Sequence, residues 1–129
     1  MSVTPYALEQ SPKTPFVNLD SATGNFEIRG KSIPENSVQF YQPIYAWLDG
    51  YAENPAPKTT LKIQLDYFNT SSSKCLADLF KKLEVISKTG KGEASVNWLH
   101  DENDEDMQEA GEDYQSIIKI PFQITSFKK

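Results

Sequence analysis

The chain has one cysteine and one histidine among its 129 residues. Cys75 therefore closes no internal disulfide. It stands beside Leu76 and Leu79, where a cysteine usually serves as a small buried hydrophobe. His100 by itself leaves any metal site dependent on carboxylates. A phosphate-cradling glycine loop is also missing, since "GKG" at residues 90–92 has the glycines of a turn without the required spacing. No apolar run reaches the length that crosses a bilayer. The start, "MSVTPYALEQSPKTP", lacks the basic head and apolar middle of a secretory signal. A cytoplasmic protein with no membrane insertion is the expectation. The catalytic templates fail in turn, so neither an enzyme nor a cofactor is expected.

Charge of one sign is missing from one segment. Residues 101–113, "DENDEDMQEAGED", hold eight of the 18 acids and no base. The rest of the chain carries ten acids against 13 bases. The protein is dipolar, and its bases are scattered rather than gathered. Phosphate binding needs a basic footprint, so nucleic acid is not an expected partner. Asp101, Asn103 and Glu105 share the alternation of a calcium loop, but the glycine required at the sixth position is absent. A partner-facing or solvated acidic edge fits better, with Asp104, Glu105 and Asp106 able to steer a basic partner at long range.

The material for a core is present. Hydrophobic residues make up 38% of the chain and aromatics 12%, enough for one domain of this length. Residues 1–13 read as an irregular arm and residues 14–129 as the domain. Alternating segments at 15–20 and 25–30 flank the turn "SATG" and predict a hairpin. Phe40, Ile44, Trp47, Leu48 and Tyr51 recur at helical spacing. Ser32 and Glu35 have capping-box spacing ahead of that helix, and Pro43 implies a bend or a start near Gln42. Strands are expected at 59–68 and 94–100, and an amphipathic helix at 71–88. A short helix around 105–117 and a final strand over 117–127, broken or on an edge at Pro121, complete the chain. This order predicts an α/β domain with a mixed sheet of four to five strands and helices mainly on one face.

One junction is over-supplied with hydroxyls. "LDYFNTSSSK" at 65–74 runs from a strand through Asn69, Thr70, Ser71, Ser72 and Ser73 into the helix at 71–88. Asn, Ser and Thr are the preferred helix caps, and one of them would suffice. The alternative is modification. A helix start offers free N–H groups and a partial positive charge that can hold a phosphate. Both readings stand on the residues alone.

The stretches "IRGKSIPENSVQFYQPIYAWLDGY" (28–51), "LDYFNTSSSK" (65–74), "DEDMQEAGEDY" (104–114) and "IPF" (120–122) occur together and in this order. In them the chain resembles the SiaC-type bacterial regulatory phosphoproteins. The resemblance implies an α/β fold similar to the STAS domain of anti-sigma-factor antagonists, and a partner-switching role. It implies a serine/threonine kinase of the anti-sigma type and an opposing PP2C-like phosphatase. In one branch of the family the unphosphorylated protein binds a diguanylate cyclase and promotes cyclic-di-GMP synthesis, which affects biofilm formation. The modified threonine falls on Thr70, with Ser71, Ser72 and Ser73 as alternatives. The expected docking residues are Asn69, Thr70, Ser71, Ser72 and Lys74, together with Glu35, Asn36, Asp104, Glu105 and Asp106. An adaptor whose hydroxyls only cap a helix is the competing expectation.

Overall fold

The computed structural model describes residues 4–128. The elements in chain order are β1 (Tyr6–Leu8), β2 (Phe16–Leu19), β3 (Asn25–Ser32), α1 (Ser37–Tyr51), β4 (Lys58–Phe68), α2 (Thr70–Lys88), β5 (Glu93–Asp101), α3 (Glu105–Ile117) and β6 (Phe122–Phe127). All six strands join one sheet in sequence order. β1, β2 and β3 are antiparallel, and β3 through β6 are parallel. Each parallel step passes through one helix and moves one strand further in the same direction. Crossovers of a single hand then place all three helices on one face.

The burial pattern agrees with this two-layer arrangement. Ile28, Ile63, Trp98 and Ile124 stand side by side in register on the inward face. α1 covers that face with Tyr41, Ile44, Leu48 and Tyr51, and α2 with Leu76, Leu79, Phe80 and Leu83. α3 adds Met107 and Tyr114. The outward row in the neighbouring register, Glu27, Lys62, Asn97 and Gln123, is polar and carries no helix. The α/β class and the one-sided helix layer match the expectation, while the sheet has six strands rather than four or five.

The extra strand lies where an irregular arm was expected. Tyr6 and Leu8 pair with Leu19 and Val17, and both are half-buried. A three-residue strand close to Pro5 carries too little alternation to be read from sequence. Residues 1–3 of that arm lie outside the described residues. α1 also begins differently. Its cap is Asn36, whose side chain accepts from Gln39 N–H at 3.0 Å. The helix runs through Pro43, which is exposed, as is Gln39, whose carbonyl loses its helical donor and can meet water. Ser32 is no cap but the buried last residue of β3.

β4 keeps its expected alternation only as far as Leu65. Gly30 pairs with Leu65 and Lys31 with Tyr67, so Asp66 is an extra residue on β4. Such a bulge re-aims the side chains beyond it. Tyr67, which unbroken alternation would place in one row with Leu61, Ile63 and Leu65, is 57% exposed, and Phe68 turns in to meet the Trp98 ring at 6.2 Å.

Gly24 and Gly111 are among the glycines fixed by space. Gly24 has φ +79°, and a Cβ there would lie 2.0 Å from the Lys58 carbonyl oxygen. Gly111 lets α3 lie against Trp98, whose Cδ1 would be 2.6 Å from an added Cβ. Trp98 is fully buried and donates its Nε1–H to the Met107 carbonyl at 3.0 Å, so it has little room to retreat. Gly111→Ala should cost about 1–3 kcal/mol in a denaturant unfolding experiment, as overpacked core sites do.

Candidate functional site

The parallel topology brings three helix starts to one end of the molecule, where β3, β4 and β5 finish. Each start is capped by its own side chain. Asn36 caps α1, Asn69 accepts from Ser72 N–H at 2.9 Å, and Asp104 accepts from Met107 N–H at 3.0 Å. Asn69 also ties α2 to the chain ahead of α1. Its backbone N–H donates to the Ser32 carbonyl at 3.0 Å, and its side-chain amide to the Pro34 carbonyl at 3.4 Å.

The four hydroxyls after Asn69 have separate fates. Ser72 is fully buried, accepts from the Ser32 hydroxyl at 2.9 Å and donates to the Ser32 carbonyl at 3.0 Å. Ser71 is exposed, yet its Oγ lies 2.7 Å from Ser37 Oγ and donates to Asn69 Oδ1 at 3.2 Å. Ser73 is half-buried against α3, where its Oγ meets the Tyr114 hydroxyl at 3.3 Å and its carbonyl accepts from that hydroxyl at 2.7 Å. Thr70 is exposed at the first helical position, and its hydroxyl has no hydrogen-bond partner among the described residues. Ser72, expected among both the docking residues and the alternative phosphorylation sites, lies instead in the interior, where its hydroxyl joins α2 to β3.

A hydroxyl network lies behind this surface. Ser32 Oγ is 2.6 Å from the Tyr41 hydroxyl, and Ser37 Oγ is 3.2 Å from Ser72 Oγ. Ser32, Ser37 and Tyr41 were not foreseen as part of the site. Their partners lie some forty positions apart or on a different element, and no local spacing signals that pairing. Burial holds the Tyr41 phenol well above its ordinary range, and the Ser32 hydroxyl opposes this only in part. Burial also raises Tyr114, again against its hydrogen bond to Ser73.

The other expected residues divide into two places. Glu35 and Asn36 lie in the loop that Asn69 grips, and Glu35 makes an exposed pair with Lys13 at 3.9 Å. Lys74 is exposed one turn beyond Thr70. Val38, in the first turn of α1, and Tyr67 add exposed apolar surface near the same end. Asp104, Glu105 and Asp106 line a different hollow of about 450 Å³ with Asp66 and Asp101. Within it, Asp101 Oδ1 accepts from Asn103 N–H at 2.9 Å, so the calcium-like alternation forms a turn. Among the described residues no three His, Cys, Asp or Glu side chains are placed to hold a metal ion. His100 and Cys75 are both buried, and His100 Nδ1 lies 2.8 Å from the Asp101 carbonyl. No described helix is long and apolar enough to cross a membrane.

Known proteins share this architecture. The solved structure of SiaC of Pseudomonas aeruginosa superposes with a TM-score of 0.87 at 25% identity, over 97% of this chain and 100% of that one. The crystal structure of the diguanylate cyclase SiaD in complex with its activator SiaC, from the same organism, contains a chain that superposes at 0.86. That chain is 26% identical, over 95% of this chain and 99% of its own. An uncharacterized protein of Pseudomonas aeruginosa is 29% identical over 111 residues, which is 86% of this chain and 87% of that protein. The model described as SiaC family regulatory phosphoprotein matches residues 8–127, and the chain belongs to that family.

Proposed function

We propose that this chain is a regulator with no enzymatic activity of its own, which docks a partner through the adjoining starts of α1 and α2. Reversible phosphorylation of Thr70 controls the docking. The observation that carries the reading is the isolation of Thr70, the exposed hydroxyl of the run that the fold does not use. A kinase can take it without breaking a native hydrogen bond. The first turn of α2 then faces the phosphate with backbone N–H groups and the positive end of the helix dipole. Lys74, one turn on, can pair with it, although an exposed pair contributes at most about 1 kcal/mol. The modifying enzymes are a serine/threonine kinase of the anti-sigma type and a PP2C-like phosphatase. The partner is a diguanylate cyclase, a reading supported by the relative SiaC, the activator of SiaD. The protein would thereby act in cyclic-di-GMP signalling in the cytoplasm.

Intact-mass measurement after incubation with the kinase and ATP tests the switch. One phosphate on the wild-type chain and none on Thr70→Ala is the expected result. Phosphate on Thr70→Ala at normal stoichiometry would move the site to Ser71 or Ser73. The constitutive adaptor is favoured by one observation, that Ser71, Ser72 and Ser73 all have structural partners and so account for most of the hydroxyl run. A wild-type chain that takes no phosphate would establish that second reading.

A further inference from the structure

β6 is the last strand of the sheet, and its register shows which way its backbone points. Val96 N–H donates to the Pro121 carbonyl at 2.9 Å, and Glu102 N–H to the Phe127 carbonyl at 2.8 Å. The odd-numbered residues of this segment therefore turn their backbone groups toward β5. Phe122, Ile124 and Ser126 present theirs outward, because successive residues of a strand alternate. The Phe122 carbonyl accepts from the Gln115 side chain at 2.8 Å. Among the described residues nothing pairs with the outward groups of Ile124 and Ser126.

Exposed edges normally carry a charge, a proline or a bulge that blocks further pairing. The strand "FQITSF" has no charge and no proline. The opposite edge, β1, offers only three residues. A cavity of about 1000 Å³ wraps the β6 edge on both faces of the sheet. Gln108, Glu112 and Gln115 line it on the helix side, Asn97 and Gln123 on the open side, and Glu102 at one end. Two carboxylates and His100 border this space, with no Lys or Arg among the described residues that line it. An occupant must be extended, to use the backbone groups, and basic, to answer Glu102 and Glu112. A second copy fits poorly. Antiparallel pairing of β6 with itself brings two acidic α3 helices together, and β6 itself holds no base.

We propose that the β6 edge docks an extended segment of another protein, carrying Lys or Arg at alternate positions, as a seventh strand. This surface is separate from the start of α2 and does not depend on the Thr70 switch.

The probe is a capped, fluorescein-labelled hexapeptide of alternating Lys and Val, with a Glu-Val peptide as control. Anisotropy titration of the full chain should show saturable binding of the Lys-Val peptide that weakens at least about tenfold from low to physiological salt. At saturation, amide exchange at Ile124 and Ser126 should slow by about tenfold or more. Ser126→Pro removes an outward N–H that the β5 ladder does not use, and should weaken binding by about tenfold. Glu112→Lys, at an exposed helix position, should do the same without touching the strand. No binding up to about 1 mM peptide would overturn the proposal. So would binding that neither variant alters, or equal binding of the Glu-Val control. Protection of Ile124 and Ser126 that rises with protein concentration in the absence of peptide would assign the edge to a second copy instead.

Discussion

Under the proposed switch, phosphate on Thr70 is expected to weaken docking of the proposed diguanylate cyclase partner by about thirtyfold or more, which is about 2 kcal/mol. The chain's unfolding midpoint should change little. The two effects separate because Thr70 is exposed and makes no native hydrogen bond, so modification breaks nothing inside the domain. The helix start partly compensates the added charge, by about 0.3–1 kcal/mol. A partner lying over the same turn meets a group of about −1.5 to −2 charges with a tightly held water shell. It must strip that water or withdraw. Thr70→Asp should reproduce only part of the loss, since a carboxylate has less charge and fewer acceptor oxygens. Calorimetric titration of unmodified, phosphorylated and Thr70→Asp chains against the cyclase measures all three. Equal affinities for the first two would leave phosphorylation without a role in docking.

The helical periods and the long strands were legible because their side chains obey one neighbour rule along the chain. Ile63 and Trp98 lie inward as the alternation of β4 and β5 implies, and the Leu76, Phe80 and Leu83 stripe faces the sheet. The failures share a different cause. Tyr67 departs from the β4 alternation because one inserted residue, Asp66, reverses it, and a bulge leaves no mark in a binary pattern. The final strand is expected from residue 117, since 117–127 reads as one apolar-rich stretch. Ile117 instead closes α3 as an exposed residue, and 118–121 form a connection that buries Ile118 and Ile120, held where Glu84 Oε2 accepts from Lys119 N–H at 3.1 Å.

The site was half legible for the same reason. Asn69 and Thr70 could be placed at a helix start from their order alone. The division of labour among the serines could not, because it depends on which hydroxyl faces β3. Ser72 lies behind the helix against Ser32, and one residue earlier Ser71 reaches sideways to Ser37. A rotation of about 100° per residue separates a buried hydroxyl from an exposed one. Sequence composition is blind to that rotation until the neighbouring strand is in place.

Tyr41→Phe should invert the order of stability between neutral and strongly alkaline pH. Tyr41 is fully buried, with its hydroxyl against Ser32. At neutral pH the variant should be less stable by about 1 kcal/mol, the usual net value of a buried hydrogen bond. Burial raises the phenol above its unfolded value, which lies near 10. Below pH about 10 the proton is held in both states, and the native contribution is complete. Above it the unfolded chain releases the proton while the folded chain retains it. Stability then falls by about 1.4 kcal/mol for each pH unit on account of this residue, until the folded phenol itself ionises. Phenylalanine has no such loss. Tyr6, Tyr45 and Tyr114 are also raised, mainly by burial that both chains share, so they largely cancel in the difference and leave only the smaller repulsion that Tyr45 and Tyr114 share with Tyr41. The two stability curves should therefore cross about one unit above the ordinary phenol range, where the alkaline loss equals the hydrogen bond. Denaturant unfolding of both chains from pH 7 upward measures the crossing. Parallel curves would mean that the Tyr41 phenol ionises as freely in the folded protein as in water, and that the hydroxyl network behind the start of α2 is open to solvent.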